Sequence, residues 1–286
     1  MKPASIKLIE CPRDAMQGWK SFIPTDTKIK YINTLLGVGF DTIDFGSFVS
    51  AKAIPQMADT AEVLRGLDLS NTHSKLLAII ANPRGASEAL QFEPIQYLGF
   101  PFSVSPTFQQ RNTNSTIEES FERVQQIQDL CLAHNRELVV YLSMGFGNPY
   151  GDPYSEELVF DWANRLAGIG IKTLSLADTV GLASAEQVYS VSKYLIDSLP
   201  AIEIGVHLHS TPYNREEKLE AALKAGCYRI DGALKGIGGC PMADDELVGN
   251  MDSEWMIQFL EEKGIDLKLN SRALEESVSI ASTLFL

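Results

Sequence analysis

The chain of 286 residues is 45% hydrophobic and 21% charged, an ordinary balance for a globular protein with a sizeable core. Its formal net charge is -13 and it has no run of lysine or arginine, which argues against a nucleic-acid backbone as its main partner. No segment approaches the roughly 18 apolar residues of a membrane span, and the N-terminus lacks the apolar stretch of a signal peptide. We therefore expect a cytoplasmic protein with no membrane partner.

Eight short apolar runs recur along the chain, and most of them are followed by a helical pattern. Several runs are almost continuously apolar, which is typical of parallel strands that are covered on both faces. The predicted strands are 5–11, 41–48, 75–82, 95–104, 137–147, 172–179, 202–210 and 228–236.

The helices between these strands have recognisable starts and ends. Thr25 or Asp26 is predicted to cap a helix at about 27–37, which would end at a glycine. Ser115 is followed three residues later by Glu118, the spacing of a capping box, before a long amphipathic segment. The later helices follow the same plan of polar start, amphipathic middle and glycine or proline stop.

Alternating strands and helices indicate an α/β fold, and eight repeats favour a (β/α)8 TIM barrel over an open doubly wound sheet. Additional C-terminal helices are predicted at about 252–263 and 271–284. Because no linker, repeat or low-complexity tract divides the chain, we expect one catalytic domain over residues 1–286. The four cysteines have no CxxC spacing and are expected to be free thiols.

In a barrel, the C-terminal ends of all the strands meet at one mouth, where active sites lie. Polar residues at the predicted strand ends, or in the loops beyond them, are therefore expected to share a site. They are Arg13, Asp14, Asp44, Asp178, Thr179, His207, His209, Cys240 and Asn250.

His207 and His209 are two of only four histidines in the chain. Residues i and i+2 of a strand project from the same face, which suits two imidazoles that converge on one cation. Asp14, at the end of the first strand, would add an anionic oxygen. The alternative is a pair of buried, hydrogen-bonded histidines. These ligands suit six-coordinate Mg2+ or Mn2+, and Co2+ or four-coordinate Zn2+ remain open.

Each of the other candidates also has a purely structural interpretation. Taken alone, Arg13 and Asp14 would be interpreted as a surface salt bridge, and Asp178 as a helix cap shared with Thr179. Three glycines precede Cys240 in the segment GIGGCPMADDELVGN, so the backbone there can approach a ligand closely. A thiol over a cationic site would have a lowered pKa and act as an acid or base, whereas the alternative is a bystander cysteine.

The segments ECPRDAMQ, IDFGSFVSAKAIPQMAD, LADTVG, VHLHST and GIGGCP together resemble the 3-hydroxy-3-methylglutaryl-CoA lyase family of barrel metallolyases. The resemblance runs in order from about residue 5 to 262, essentially the whole chain. The patterns S-F-V-S-x-K-x-x-P-Q and G-x-G-G-C-P separate the lyases from the related isopropylmalate synthases. Departures from the family pattern are Cys11, Ala15, Asp44 and a longer segment between Cys240 and Asn250.

The resemblance implies a divalent-metal-dependent lyase that cleaves 3-hydroxy-3-methylglutaryl-CoA to acetyl-CoA and acetoacetate, with an acyl-CoA thioester as its partner. An aldolase or Claisen-type synthase for another 3-hydroxyacyl-CoA or a 2-oxo acid is the alternative, and a barrel without catalysis is a third. The resemblance does not decide whether the chain forms a homo-oligomer. By this resemblance, the metal ligands would be Asp14, His207, His209 and Asn250. The catalytic residues would be Arg13, Asp178, His207 and Cys240. The substrate-binding residues would be Arg13, Gln17 and Asp44.

Overall fold

Eight parallel strands pair in chain order, and the last pairs with the first, so that the sheet closes into a barrel. The structure is a computed structural model, and it describes residues 5–239 and 248–286. The α/β architecture of a (β/α)8 TIM barrel is thereby confirmed. The strands are β1 (Lys7–Glu10), β2 (Thr42–Ser47), β3 (Lys75–Ile79), β4 (Ile95–Ser103), β5 (Glu137–Ser143), β6 (Thr173–Ala177), β7 (Glu203–His207) and β8 (Arg229–Gly232).

Helices surround the strands and bury their apolar faces against the outside of the barrel. None of the helices in the described ranges has the length and apolarity needed to cross a membrane. The two predicted C-terminal helices are present as the last pair. The helices are α1 (Pro12–Gln17), α2 (Thr25–Leu36), α3 (Thr60–Arg65), α4 (Pro83–Ala89), α5 (Pro106–Thr113), α6 (Ile117–Ala133), α7 (Glu156–Gly168), α8 (Ala185–Ser198), α9 (Arg215–Ala225), α10 (Ser253–Glu262) and α11 (Ser271–Leu284).

Two predicted helix starts are shifted in the structure. The helix α2 begins at Thr25, directly after Pro24, and no side chain caps it. The capping box of α6 is formed by Thr116 and Glu119, one residue later than the predicted pair. Ser115 is buried and accepts a hydrogen bond from the Gln109 side chain, so its hydroxyl does not cap the helix.

Glu10, at the end of β1, is a fully buried carboxylate that ties together two segments of the chain near the barrel mouth. It accepts hydrogen bonds from the backbone N–H of Leu234, at 2.8 Å, and from the hydroxyl of Ser253, at 2.5 Å. Leu234 follows β8 and Ser253 begins α10. Burial raises the pKa of Glu10 from 4.5 to about 8, against the lowering effect of both hydrogen bonds.

We expect this carboxylate to make the protein less stable as the pH rises from about 5 to about 8. In that range the unfolded chain has lost the Glu10 proton and the folded chain still holds it, so the free energy of unfolding falls by up to about 1.4 kcal/mol per pH unit. Glu10→Gln keeps the shape but cannot ionise, and it should flatten this slope. Urea unfolding at several pH values between about 5 and 8 measures how the free energy of unfolding changes with pH. Glu122→Gln, at an exposed position, is the control. The same slope in Glu10→Gln and the parent protein would refute the expectation.

Candidate active site

A cavity of about 270 Å3 opens at the mouth of the barrel. One side of it is apolar, and the other carries the side chains that the sequence predicted to form a site. The apolar side includes Val49, Ile54, Ile79, Pro101 and Phe108. The polar side includes Arg13, Asp14, Gln17, His207 and His209.

Arg13 and Asp14 lie on the short helix α1, not at a strand end as predicted. The strand β1 stops at Glu10, and Pro12 is the first residue of α1, where its missing N–H costs nothing. Consecutive residues of a strand would point to opposite faces, whereas this helical turn lets both side chains reach the cavity. Both side chains are buried, which excludes the alternative of a surface salt bridge.

Asp14 is held by three donors. Its Oδ1 accepts from Arg13 Nη1 at 2.9 Å and from Gln17 Nε2 at 2.8 Å, and its Oδ2 accepts from Asn250 Nδ2 at 2.7 Å. Burial raises the pKa of Asp14, but the charges of Arg13 and His207 and the hydrogen bond from Asn250 outweigh it and leave the pKa lowered. The carboxylate is therefore ionised at neutral pH.

His207 and His209 converge on this carboxylate. Their ring centroids are 5.4 Å apart, and one ring nitrogen of each lies within 4.8 Å of the other and of an Asp14 oxygen. Burial and the neighbouring His207 lower the pKa of His209 to about 3, so His209 is neutral and has a free lone pair.

Asp231, which the sequence analysis did not single out, orients His207. The Asp231 carboxylate can only accept, so the Nδ1–H of His207 donates to it, at 3.1 Å, and Nε2 is left for the cavity. Burial lowers the pKa of His207, but the hydrogen bond and charge of Asp231 outweigh it and the pKa is raised. No local sequence pattern marks Asp231, because its importance depends on its pairing on β8 with His207 on β7.

Asn250 adds an oxygen that could serve as a further ligand for a cation. Its Nδ2 donates to Asp14 and to the carbonyl of Ile237, while its buried Oδ1 has no hydrogen-bond partner among the described residues. Gly238 makes this approach possible, because its φ is +115° and a Cβ there would lie 2.2 Å from Asn250 Nδ2. Two imidazoles, a carboxylate and an unpaired amide oxygen fit a divalent cation.

Cys11 belongs to a second group of candidate ligand atoms, with Asp231 and His207. Burial raises the pKa of the Cys11 thiol well above its ordinary value, so the sulfur is protonated and a poor ligand. The group around Asp14 is therefore the better cation site.

Asp44 lies behind Arg13 and holds it in place. Arg13 Nε donates to both oxygens of Asp44, at 3.2 and 3.0 Å, and Nη2 donates to Oδ2 at 2.5 Å. Burial raises the pKa of Asp44 to about 6, against the lowering effect of the Arg13 charge. Each terminal nitrogen of Arg13 carries a second N–H, so the guanidinium can bind both carboxylates and still donate into the cavity.

Asp178 is paired with a residue that the sequence analysis missed. Lys218 Nζ donates to Asp178 Oδ2 at 2.7 Å and to the carbonyl of His209 at 2.9 Å, and the other Asp178 oxygen accepts from the backbone N–H of Ala183. Asp178 does not cap a helix, because the N-cap of α8 is Ser184. The signal for Lys218 is a lysine on the buried face of α9.

Cys240 lies outside the described residues, so its proposed acid–base role stays a prediction. Cys11, Cys131 and Cys227, in the part that the structure describes, are free thiols as expected, and all three are buried.

Comparisons with known proteins converge on one group of enzymes. The family model described as HMGL-like matches residues 6–280. The cytoplasmic 3-hydroxy-3-methylglutaryl-CoA lyase of Rattus norvegicus is 30% identical over 276 residues, covering 96% of this chain and 80% of its own length. The mitochondrial hydroxymethylglutaryl-CoA lyase of Mus musculus is 31% identical over 276 residues, covering 96% and 84%.

A solved structure agrees with these relatives. An HMG-CoA lyase from Acinetobacter baumannii, in complex with coenzyme A and 3-methylmalate, superposes with a TM-score of 0.91 at 30% identity. The match covers 98% of this chain and 91% of that one.

Proposed function

Because the chain belongs to the HMGL-like family and is a lyase-type enzyme, we propose that it cleaves 3-hydroxy-3-methylglutaryl-CoA to acetyl-CoA and acetoacetate with the help of a divalent cation. The observation that carries this proposal is the convergence of Asp14, His207 and His209 beside Arg13 in one cavity. The alternative, a synthase or aldolase on the same scaffold, has no specific observation in its favour.

The cation would be held by Asp14, His207, His209 and the Oδ1 of Asn250. When bound, it would supply Lewis acidity that lowers the pKa of the substrate hydroxyl. Arg13 binds Asp14 from the side away from Asn250, and Gln17 holds the same carboxylate oxygen as Arg13. This arrangement fixes the carboxylate before any substrate arrives, which is the preorganisation that a metal site needs.

Bond cleavage needs a proton acceptor for the hydroxyl on C3 of the substrate. The pair of electrons from the C2–C3 bond then moves to C2 as the enolate of acetyl-CoA, and C3 becomes the ketone of acetoacetate. Arg13 lines the cavity and would donate an N–H to the thioester oxygen as charge develops there. Cys240 would return a proton to C2.

Asp178 suits the role of acceptor better than His207 does. His207 donates its Nδ1–H to Asp231, and a bound cation would occupy Nε2, so no lone pair would remain for a proton. Asp178 is not bound to the proposed cation, and burial raises its pKa despite the charge of Lys218. Its chain neighbour Thr179 lines the cavity.

Asp178→Asn should therefore lower kcat by about 10²- to 10⁴-fold. The substitution also leaves Lys218 buried without its counter-charge, a loss of about 3–5 kcal/mol in stability. The double variant Asp178→Asn/Lys218→Met removes both charges, so it should recover stability while remaining inactive. Recovery of turnover along with stability would show that Asp178 is structural and not the acceptor.

The cavity of about 270 Å3 suits the acyl part of the substrate and leaves the bulk of coenzyme A outside it. The relative from A. baumannii was solved with coenzyme A, which supports a thioester of this carrier as the substrate. Relatives named for the cytoplasm and for the mitochondrion both match, so a cytoplasmic location stays a prediction.

The decisive assay incubates protein that has been stripped of metal with 3-hydroxy-3-methylglutaryl-CoA, with and without Mg2+, Mn2+, Co2+ or Zn2+, and measures acetoacetate. We expect product only when a divalent ion is added. Equal product in the presence of a chelator would refute the metal dependence. No product from folded, metal-loaded protein would refute the substrate, and condensation of acetyl-CoA with a 2-oxo acid would favour the synthase.

A further inference from the structure

A row of inward-facing residues crosses four strands beneath the cation site. Tyr141 on β5 pairs in register with Ser175 on β6, Ser175 with Gly205 on β7, and Gly205 with Arg229 on β8. Register partners on parallel strands point to the same face, so this row lies inside the barrel. His207 and Asp231, two residues further along β7 and β8, form the next row towards the mouth.

Arg229 lies across this row. Gly205 has no side chain, and a Cβ there would lie 3.0 Å from Arg229 Cδ, so the arginine passes directly over the glycine. The guanidinium carbon is 5.7 Å from the ring centroid of Tyr97 on β4. Arg229 is 1% exposed, which makes it one of the largest fully buried side chains in the described residues.

Several polar atoms of Arg229 and of its neighbours have no hydrogen-bond partner among the described residues. Its Nη1 is 3.9 Å from a Glu203 oxygen and 4.0 Å from an Asp41 oxygen, which are ion-pair distances but not hydrogen bonds. Five buried atoms in this row and in the next one have no hydrogen-bond partner among the residues that the structure describes. They are Arg229 Nε and Nη2, Tyr141 Oη, Ser175 Oγ and Asp231 Oδ1.

Such a set calls for water rather than for a single ion. An unmade hydrogen bond at a buried group is destabilising, and folded proteins satisfy such groups with ordered water when protein atoms are out of reach. The set contains donors on Arg229, an acceptor on Asp231 and two hydroxyls that do both. Water can donate and accept, whereas an anion would be repelled by Asp231.

We propose that ordered water inside the barrel bridges the guanidinium of Arg229 to Oδ1 of Asp231, and that Arg229 is thereby a positioning residue for His207. Asp231 uses its other oxygen to accept from His207 Nδ1. A carboxylate fixed at both oxygens holds the imidazole in one tautomer and one orientation, with Nε2 towards the cavity. The importance of this positioning rests on the proposed function, because His207 matters most as a cation ligand.

The water itself is tested by a high-resolution crystal structure of the metal-free protein. We expect ordered water within hydrogen-bond distance of Arg229 Nε or Nη2 and of Asp231 Oδ1. A second crystal, soaked in bromide, identifies an anion by its anomalous signal. Bromide at that position, or a direct bond from Arg229 to Asp231 with no water between them, would overturn the proposal.

The effect on His207 is tested by NMR of the ring nitrogens, again without metal or substrate. With only four histidines in the chain, their signals are few enough to assign. Asp231→Asn shows how the His207 signals change when its partner is altered. Arg229→Met should shift the same signals from a single Nδ1–H tautomer towards a mixture, and it should weaken Mn2+ binding about tenfold.

Two further variants separate positioning from folding. Ser175→Val keeps Arg229 but fills the space and removes one hydroxyl, so it should displace the water. The His207 signals should then shift towards a tautomer mixture, as in Arg229→Met. Lys28→Met removes another fully buried cation, one that is bound to Asp59 on the outside of the barrel, and it should leave His207 unchanged. Unchanged His207 signals in Arg229→Met or in Ser175→Val would overturn the proposal. Because these spectra need neither substrate nor ion, they remain valid if the lyase assay fails.

Discussion

His209→Ala is expected to reduce acetoacetate formation by at least about 10³-fold, because it removes one of the two imidazoles of the cation site. The affinity for Mn2+ should fall to a similar degree, since the loss of even an outer partner of a ligand costs about 10- to 100-fold. The fold should survive, because the side chain of His209 has no role in the sheet ladder. Calorimetric titration with Mn2+ measures the affinity, and the acetoacetate assay measures the loss of turnover.

The chain provides its own matched controls for this experiment. His73 and His134 are the other two histidines, and both are exposed and away from the cavity. Alanine at either position should leave metal affinity and turnover unchanged within twofold or so. If His209→Ala bound Mn2+ as tightly as these controls, His209 would be a buried histidine and not a ligand of the ion.

Arg13→Lys is expected to lower kcat by about 10²- to 10³-fold, the usual loss when a donor to a developing oxyanion is removed. Lysine keeps the positive charge between Asp14 and Asp44, but its compact ammonium cannot bind both carboxylates and the thioester oxygen at once. Metal affinity should change much less than turnover, because the ligands all remain. Steady-state kinetics at saturating Mn2+ provides the measurement.

The control for Arg13→Lys is Arg165→Lys, on the surface. Arg165 also binds a carboxylate, that of Glu118, but the pair is largely exposed and contributes little. Its replacement should not alter kcat. A similar kcat for Arg13→Lys and the parent protein would mean that charge alone suffices at this position and that the forked geometry is not used.

The strands and the main elements of the site could be predicted because their signals are local. Parallel strands that are covered on both faces must be apolar throughout. The spacing of His207 and His209 by two residues predicts that both point to one side, and both line the cavity although β7 ends at His207. Because a closed barrel places the C-terminal ends of its first and seventh strands at the same mouth, Asp14 is then expected to lie near both histidines. Local spacing also caused an error in the prediction. It indicated a capping box of Ser115 and Glu118, whereas the structure forms it one residue later, with Thr116 and Glu119.

The remaining parts of the site depend on contacts that no local pattern encodes. Asp231 becomes important only because β8 places it opposite His207, and Lys218 only because α9 packs against the loop that carries Asp178. The position of Arg13 on a helix depends on Pro12, which ends the strand earlier than the apolar run suggests. These are tertiary facts, and a single sequence does not reveal them.

The hydrogen bond between Asp14 and Asn250 joins residues that are 236 positions apart in the chain. Contacts of such long sequence separation form late, because the entropy of closing a long loop must be met first. Asp14 follows β1 and Asn250 follows β8, the two strands whose pairing completes the ring. A refolding chain should therefore gain full affinity for the ion only at the last step, and the rate at which Mn2+ binding appears would time the closure of the barrel.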